Sequence, residues 1–114
     1  MANIVTVVII FSKSYCPFSK KAKGILLEKY VINPPPYVVE LDEHPLGLKI
    51  QDKLLQKTGR RTVPNIMVNG ISIGGGDDIA ALDKEKKLAD KITELGAKKV
   101  VATERFIEDA RKAS

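Results

Sequence analysis

Cys16 is the only cysteine in the chain, with Lys13 three residues before it and Pro17 directly after. By itself a lone cysteine is a small buried hydrophobe. The surrounding residues change that reading. An apolar, β-branched run ends just before Cys16, and Pro17 suits the first position of a helix, where its missing N–H leaves nothing unpaired. The sulfur therefore belongs at a helix N-terminus, where unpaired N–H groups and the helix dipole favour an anion. Lys13 adds a cationic field. Together these pull a thiol below its ordinary pKa of about 8.5, so that thiolate, the nucleophilic form, exists at neutral pH. A strand-to-helix loop is also where such folds expose reactive groups.

Positioning that loop requires a strand before it and a helix after it. Residues 4–11 (IVTVVIIF) read as a strand buried on both faces, since β-branched apolar residues run without alternation. From Pro17, residues Phe18, Ala22, Ile25, Leu26 and Tyr30 fall on one helical face, with most lysines off it. Asn33-Pro34-Pro35-Pro36 stops that helix. Tyr37 to Leu41 reads as a second strand and Leu46 to Lys57 as a second helix ended by Gly59. Asn65 to Val68 and Ile71 to Gly74 flank Asn69-Gly70, a strong hairpin signal because both turn residues need positive φ. Asp77 or Asp78 opens a short helix after Gly74-Gly75-Gly76. A fourth helix is expected over Lys84 to Leu95, ended by Gly96. The order β-α-β-α-β-β-α-α, with a parallel first βαβ, packs most simply as one four-stranded mixed sheet flanked by helices. In the tail from Ala97 to Ser114, Val100-Val101 has strand character and Glu104 to Lys112 looks helical.

Composition narrows the function. A chain of 114 residues suits a single domain, 1–114, with a core over about 4–96 and a C-terminal extension at 97–114. With 44% hydrophobic and 29% charged residues it reads as an ordinary soluble globular protein. No apolar run reaches the roughly 18–20 residues of a membrane span. No signal peptide is expected, because no small-residue cleavage site follows the first apolar run. The net charge of +5 fits a nucleic acid, an acidic membrane surface or a small anionic ligand. The aromatic residues do not interleave with basic ones as a base-stacking surface needs, so nucleic acid is not the expected partner. One cysteine allows no internal disulfide. With His44 the only histidine, one chain cannot build a Cys/His zinc site.

Lys13-Ser14-Tyr15-Cys16-Pro17-Phe18-Ser19 resembles the glutaredoxin active-site motif, commonly Cys-Pro-Tyr-Cys. Thr62-Val63-Pro64 is similar to that family's Thr-Val-Pro, and Gly75-Gly76-Asp77-Asp78 to its Gly-Gly-x-Asp-Asp. The three occur in the family's order and spacing, and the likeness covers about residues 5–95. It implies a thioredoxin-like α/β fold and a glutathione-dependent thiol-disulfide oxidoreductase. Ser19 stands where the second cysteine would be, so the chain resembles a monothiol variant of the dithiol-like class. It lacks the Cys-Gly-Phe-Ser motif of the large monothiol class and the short insertion that precedes it there. CPFS, with Glu40-Leu41-Asp42 and Gly59-Arg60-Arg61-Thr62, is most similar to fungal glutaredoxins of the secretory pathway.

The resemblance also implies how glutathione is held. Its glycine carboxylate falls to Lys13 and Gln51, with Arg61 nearby, a cation and an amide donor suiting a carboxylate. Thr62, Val63 and Pro64 form the edge on which Val63 pairs the peptide's cysteine backbone, Pro64 being cis in the family. Gly76 and Asp77 N–H groups take the γ-glutamyl carboxylate, the Asp77 carboxylate takes the ammonium, and Phe18 walls the groove. Each residue has a plainer reading. Lys13, Arg60 and Arg61 are also ordinary solvated charges, Arg60 more so than Arg61. Gln51 is also helix surface, and Asp77 and Ser19 are also caps. Pro64 is also a strand-starting proline, and Phe18 lies on the expected apolar face of its helix. Tyr15 is also loop packing, and His44 reads as a surface residue.

The expected reaction is reduction of glutathione mixed disulfides through Cys16, with glutathione as co-substrate and glutathionylated proteins as partners of a monomer. The alternative is a dimer holding a [2Fe-2S] cluster between two chains, one cysteine from each and two glutathiones completing four thiolates. Pro17, which stiffens the first helical turn, favours the exchange reading. A third reading is an inactive glutathione-binding fold. The compartment reads as cytoplasmic for the chain as it stands, or the lumen of the secretory pathway if an N-terminal anchor has been removed.

Overall fold

The computed structural model describes residues 7–105. The first strand, β1 (Val8–Ser12), alternates fully and partly buried positions, with Val8, Ile10 and Ser12 innermost. It ends one residue later than the sequence pattern suggests, Val7 precedes it, and residues 4–6 of the expected strand lie outside the described part. The register places β1 parallel to β3 (Tyr37–Glu40) and antiparallel to β4 (Asn65–Val68), which pairs antiparallel with β5 (Ile71–Gly74). The strand order β3-β1-β4-β5 makes the expected four-stranded mixed sheet. Asn69 and Gly70 join β4 to β5 with φ of 51° and 80°, the positive values that a tight hairpin turn demands.

Helix α1 (Pro17–Gly24) is shorter than its apolar pattern implies. A π turn over Ile25–Lys29 unwinds it, and the chain then enters β2 (Tyr30–Asn33). Tyr30 therefore belongs to a strand and not to the helix face. Its partner explains why: β2 pairs antiparallel with β6 (Val101–Glu104), forming a second, two-stranded sheet. The strand character of Val101 is realised there. Glu104, expected to begin a helix, instead ends β6, and residues 106–114 lie outside the described part. Phe18 also departs from the expected core face, being 59% exposed, while Ser19, Ala22 and Leu26 are fully buried.

Helix α2 (Gly47–Thr58) ends at Gly59, whose φ of 79° lets its N–H reach the Leu55 carbonyl at 2.8 Å. Helices α3 (Gly76–Lys84) and α4 (Leu88–Leu95) follow, separated by a turn in which Lys86 takes φ 60°. Lys84 thus ends α3 and does not open α4. The core joins Val8, Ile10, Ile66 and Val68 of the sheet to Leu26, Ile79, Leu88 and Ile92 of the helical segments. The second sheet adds Tyr30, Ile32 and Ala102 to that core. No helix among the described residues is long and apolar enough to cross a membrane.

Candidate active site

Cys16 is the N-cap of α1, with extended φ and ψ of −82° and 121°, and its carbonyl accepts the Lys20 N–H at 3.0 Å. Its own N–H donates to the Lys13 carbonyl at 3.0 Å, folding the active loop into a turn. Ser14 ties this turn to the loop after β3: its N–H donates to Asp42 Oδ1 at 2.9 Å and its hydroxyl to Oδ2. Those two donors, the hydroxyl foremost, hold the Asp42 carboxyl below its usual range. The turn is thereby anchored at both ends, by α1 behind and by Asp42 at the side.

The thiol is only partly buried. Burial acts on it most strongly and pushes its pKa up. The Ser19 hydroxyl, then the N–H groups of Ser19 and Phe18, then the Lys13 ammonium together outweigh burial and bring it below its ordinary value. Pro17 occupies the first helical position and has no N–H, so Phe18 and Ser19 supply the free donors at the helix start. No side-chain capping hydrogen bond of regular geometry forms at Cys16, so these donors act as an oriented field. Ser19 is fully buried, and its oxygen also accepts the Lys13 N–H at 3.3 Å. It is thus more than a cap, because it ties the residue bearing the cation to the helix start beneath the sulfur.

Two cavities flank the loop. One, of about 370 Å³, is lined by Phe18, Arg60, Val63, Pro64, Gly76 and Asp77, with Gly75 and Asp78 at its end. The other, of about 550 Å³, includes Lys13, Tyr15, Asp42, His44 and Gln51 in its lining. The expected site residues therefore divide between them. Phe18, Val63, Pro64, Gly76 and Asp77 meet in the first, and Lys13 and Gln51 in the second. Arg61 and Thr62 line neither and are exposed.

The Val63–Pro64 peptide is cis. Among the described residues neither the N–H nor the C=O of Val63 has a hydrogen-bond partner, leaving a free backbone edge at the first cavity. Gly75 and Gly76 lie against it, and substitution there meets backbone. A Cβ on Gly76 would come within 3.2 Å of the Phe18 carbonyl oxygen, and one on Gly75 within 3.1 Å of the Pro64 oxygen.

Gln51 is 4% exposed, and its Nε2 donates to the Arg61 carbonyl at 3.0 Å. It is not plain helix surface. One amide hydrogen holds the Arg61 backbone, which leaves the other for the second cavity. The Arg61 side chain turns to Asp52 instead, at 3.2 Å. Arg60, the less favoured of the pair from sequence, is the one that faces a cavity. Its Nη2 lies 3.3 Å from Asp78 Oδ2.

Asn65 carries a positioning role that the sequence reading passed over. Directly after Pro64, it is fully buried, accepts the Ser72 hydroxyl at 2.7 Å and donates to Thr58 Oγ1 at 3.2 Å. Thr58 Oγ1 accepts the Arg60 N–H at 3.1 Å and donates to the Leu54 carbonyl at 2.7 Å. This network fixes the Arg60–Pro64 loop between α2 and the hairpin. The available signal was a polar residue heading the otherwise apolar strand Asn65-Ile66-Met67-Val68.

Comparison with known proteins agrees with this geometry. The family model described as Glutaredoxin matches residues 8–73. Monothiol glutaredoxin-7 of Saccharomyces cerevisiae is 49% identical over 82 residues, covering 72% of this chain and 40% of that protein. Glutaredoxin-C4 of Arabidopsis thaliana is 48% identical over 82 residues, covering 72% of this chain and 58% of that one. The chain therefore spans about half the length of these two relatives. Among solved structures, a buckwheat glutaredoxin–glutathione complex superposes with a TM-score of 0.66 at 37% identity, covering 79% of each chain. The holo form of glutaredoxin C1 from Populus tremula x tremuloides superposes at 0.69 and 34% identity, covering 79% of this chain and 86% of that one. With a family match over more than half its length, and the sheet order, active loop and glycine-lined groove all in place, the chain belongs to the glutaredoxin family and has its thioredoxin-like α/β fold.

Proposed function

We propose that the chain reduces mixed disulfides of glutathione by a monothiol exchange through Cys16. The observation that carries this reading is the placement of the sole sulfur. It sits with a lowered pKa at the head of α1, between two cavities whose polar linings suit the two charged ends of a small acidic peptide. Glutathione bound by a buckwheat relative supports the same ligand here. Its glycine carboxylate goes to the Lys13 and Gln51 cavity, its cysteine backbone to the free Val63 edge, and its γ-glutamyl end to Gly76 and Asp77.

The chemistry follows from thiolate exchange. The Cys16 thiolate attacks the glutathione sulfur of the mixed disulfide. The Cys16–glutathione disulfide forms, and the substrate's sulfur leaves as thiolate and takes a proton from water. The thiolate of a reduced glutathione then attacks the glutathione sulfur on Cys16, giving oxidised glutathione and returning the Cys16 thiolate. Ser19 cannot resolve the intermediate within the chain, so the second step needs glutathione from solution.

Cys16→Ser should abolish reduction of a small synthetic glutathione mixed disulfide, and a variant that keeps its rate would sink the reading. The wild type should reduce insulin poorly when glutathione is absent. Efficient reduction there would contradict the one-cysteine route.

A further inference from the structure

We infer that the Lys23–Glu40 ion pair is a positioning device for the head of α1, holding the buried Ser19 hydroxyl in place beneath Cys16. The inference rests on Cys16 being the nucleophile and is independent of which ligand docks beside it.

The attachment of α1 carries the argument. Lys23 Nζ lies 2.7 Å from Glu40 Oε2 on β3, with side chains 19% and 22% exposed. Among the described residues this is the only side-chain hydrogen bond from α1 to a strand. The other one from the helix, Ser19 Oγ accepting the Lys13 N–H at 3.3 Å, goes to the active loop. Ser19 and Lys23 are four residues apart, one above the other on a single helix face. The end of β3 is in turn tied to the same loop. The Leu41 N–H donates to the Ser12 carbonyl at 2.8 Å, and Asp42 holds Ser14. Helix, strand and loop thus close a ring in which Lys23–Glu40 is the link between helix and strand.

That link has no substitute nearby. Glu40 Oε1 is buried and without a partner, so Lys23 alone compensates the carboxylate. Ser12, the residue paired with Glu40 in the β1–β3 register, is fully buried, and its hydroxyl also has no partner. Removing one member of such a pair strands the other charge in a partly dry layer, and the segments that carry it shift to reach water. Around the sulfur, the charges on the neighbouring elements are Lys13 and Asp42 at the loop, Lys20 and Lys23 on α1, Glu40 on β3, Arg60 before β4 and Asp77 on α3. Lys13 is the one that acts on the thiol directly. The pair therefore reaches Cys16 through the placement of Ser19 and not through its own field.

Field and placement predict different signs, which makes the inference testable. The pH dependence of Cys16 alkylation by iodoacetamide is measured on full-length wild type, Lys23→Met, Glu40→Met, the charge swap K23E/E40K, S19A and S19A/E40M. Urea midpoints confirm that each variant is folded. K23M and E40M should both move the midpoint upward, by no more than S19A does. Their alkylation at neutral pH should be roughly two- to threefold slower as the thiolate share falls. The charge swap should recover most of the loss, and E40M should add nothing once Ser19 is gone. Shifts of opposite sign in K23M and E40M would mean that the two charges act directly. Unmoved midpoints would leave the pair a brace without influence on the thiol, and an added shift in S19A/E40M would remove Ser19 from the route; each of these overturns the inference. Should K23M fail to fold, E40M with and without Ser19 decides alone. A wild-type midpoint at the ordinary thiol value would instead overturn the reading of Cys16 as an activated nucleophile.

Discussion

At the scale of single residues, the site is a contest at one sulfur. Burial raises the Cys16 pKa, and Ser19, the helix-start N–H groups and Lys13 lower it by more. Ser19 carries a hydroxyl that cannot exchange disulfides yet still lowers the pKa of the Cys16 thiol. Its removal should therefore shift the titration without changing which sulfur reacts. The rate of Cys16 alkylation by iodoacetamide should rise with pH about a midpoint below the ordinary thiol value of about 8.5. Ser19→Ala should move that midpoint up, and Lys13→Met should move it up by less, because the distant ammonium contributes least. An unmoved midpoint in S19A would remove the hydroxyl from the account.

At the scale of elements, the departure from a regular α1 is held by a clamp between distant segments. Tyr30, at the start of β2, is 2% exposed and donates its hydroxyl to Asp83 Oδ1 at 2.8 Å. Lys29, the last residue of the π turn, places its ammonium 2.7 Å from Asp83 Oδ2. Burial and the carboxylate beside it raise the Tyr30 pKa. Burial also pushes the Asp83 carboxyl up, but Lys29 and Tyr30 outweigh it and hold that carboxyl below its usual value. Tyr30→Phe should lower unfolding stability by about 1–2 kcal/mol in urea denaturation, since a hydrogen bond to a charged acceptor is lost. The Asp83 contribution is full above the unfolded carboxyl pKa of about 3.9. It is lost as pH falls through the lowered folded value. Asp83→Asn should be less stable at neutral pH and should lose less stability than the wild type on acidification, read from urea midpoints at two pH values. Equal acid sensitivity in the two chains would show that Asp83 is not the group titrating.

At the scale of the whole molecule, the fold delivers parts from five places in the chain to one face. The active loop, the loop after β3 with the start of α2, the loop before β4, the glycine turn and the start of α3 meet around two cavities. That arrangement has the polar linings that the proposed peptide ligand, charged at both ends, would need. No group of three or more His, Cys, Asp or Glu residues able to hold a metal occurs among the described residues. A [2Fe-2S] cluster would accordingly draw its other thiolates from glutathione and a second copy. Anaerobic reconstitution with iron, sulfide and glutathione should leave a colourless monomer on gel filtration. A brown dimer with visible absorbance would move the chain to the cluster-holding reading.

Local information was enough for much of this. A β-branched run, a cysteine before a proline, an Asn-Gly turn and a Gly-Gly-x-Asp stretch each act through neighbours within a few residues. Sequence alone therefore determined the four-stranded sheet, the helix start beneath Cys16 and the family likeness. Tertiary structure decided what depended on distant partners. Tyr30 continues the helical spacing of Ala22 and Leu26, and only pairing with Val101–Glu104 draws it into a strand. Arg60 and Arg61 are indistinguishable as neighbouring charges. Their facing was settled by the turn at Gly59, by Asp52 on one side and by Asp78 on the other. Side-chain direction in such loops is fixed by whatever packs against them, and those groups lie far away along the chain.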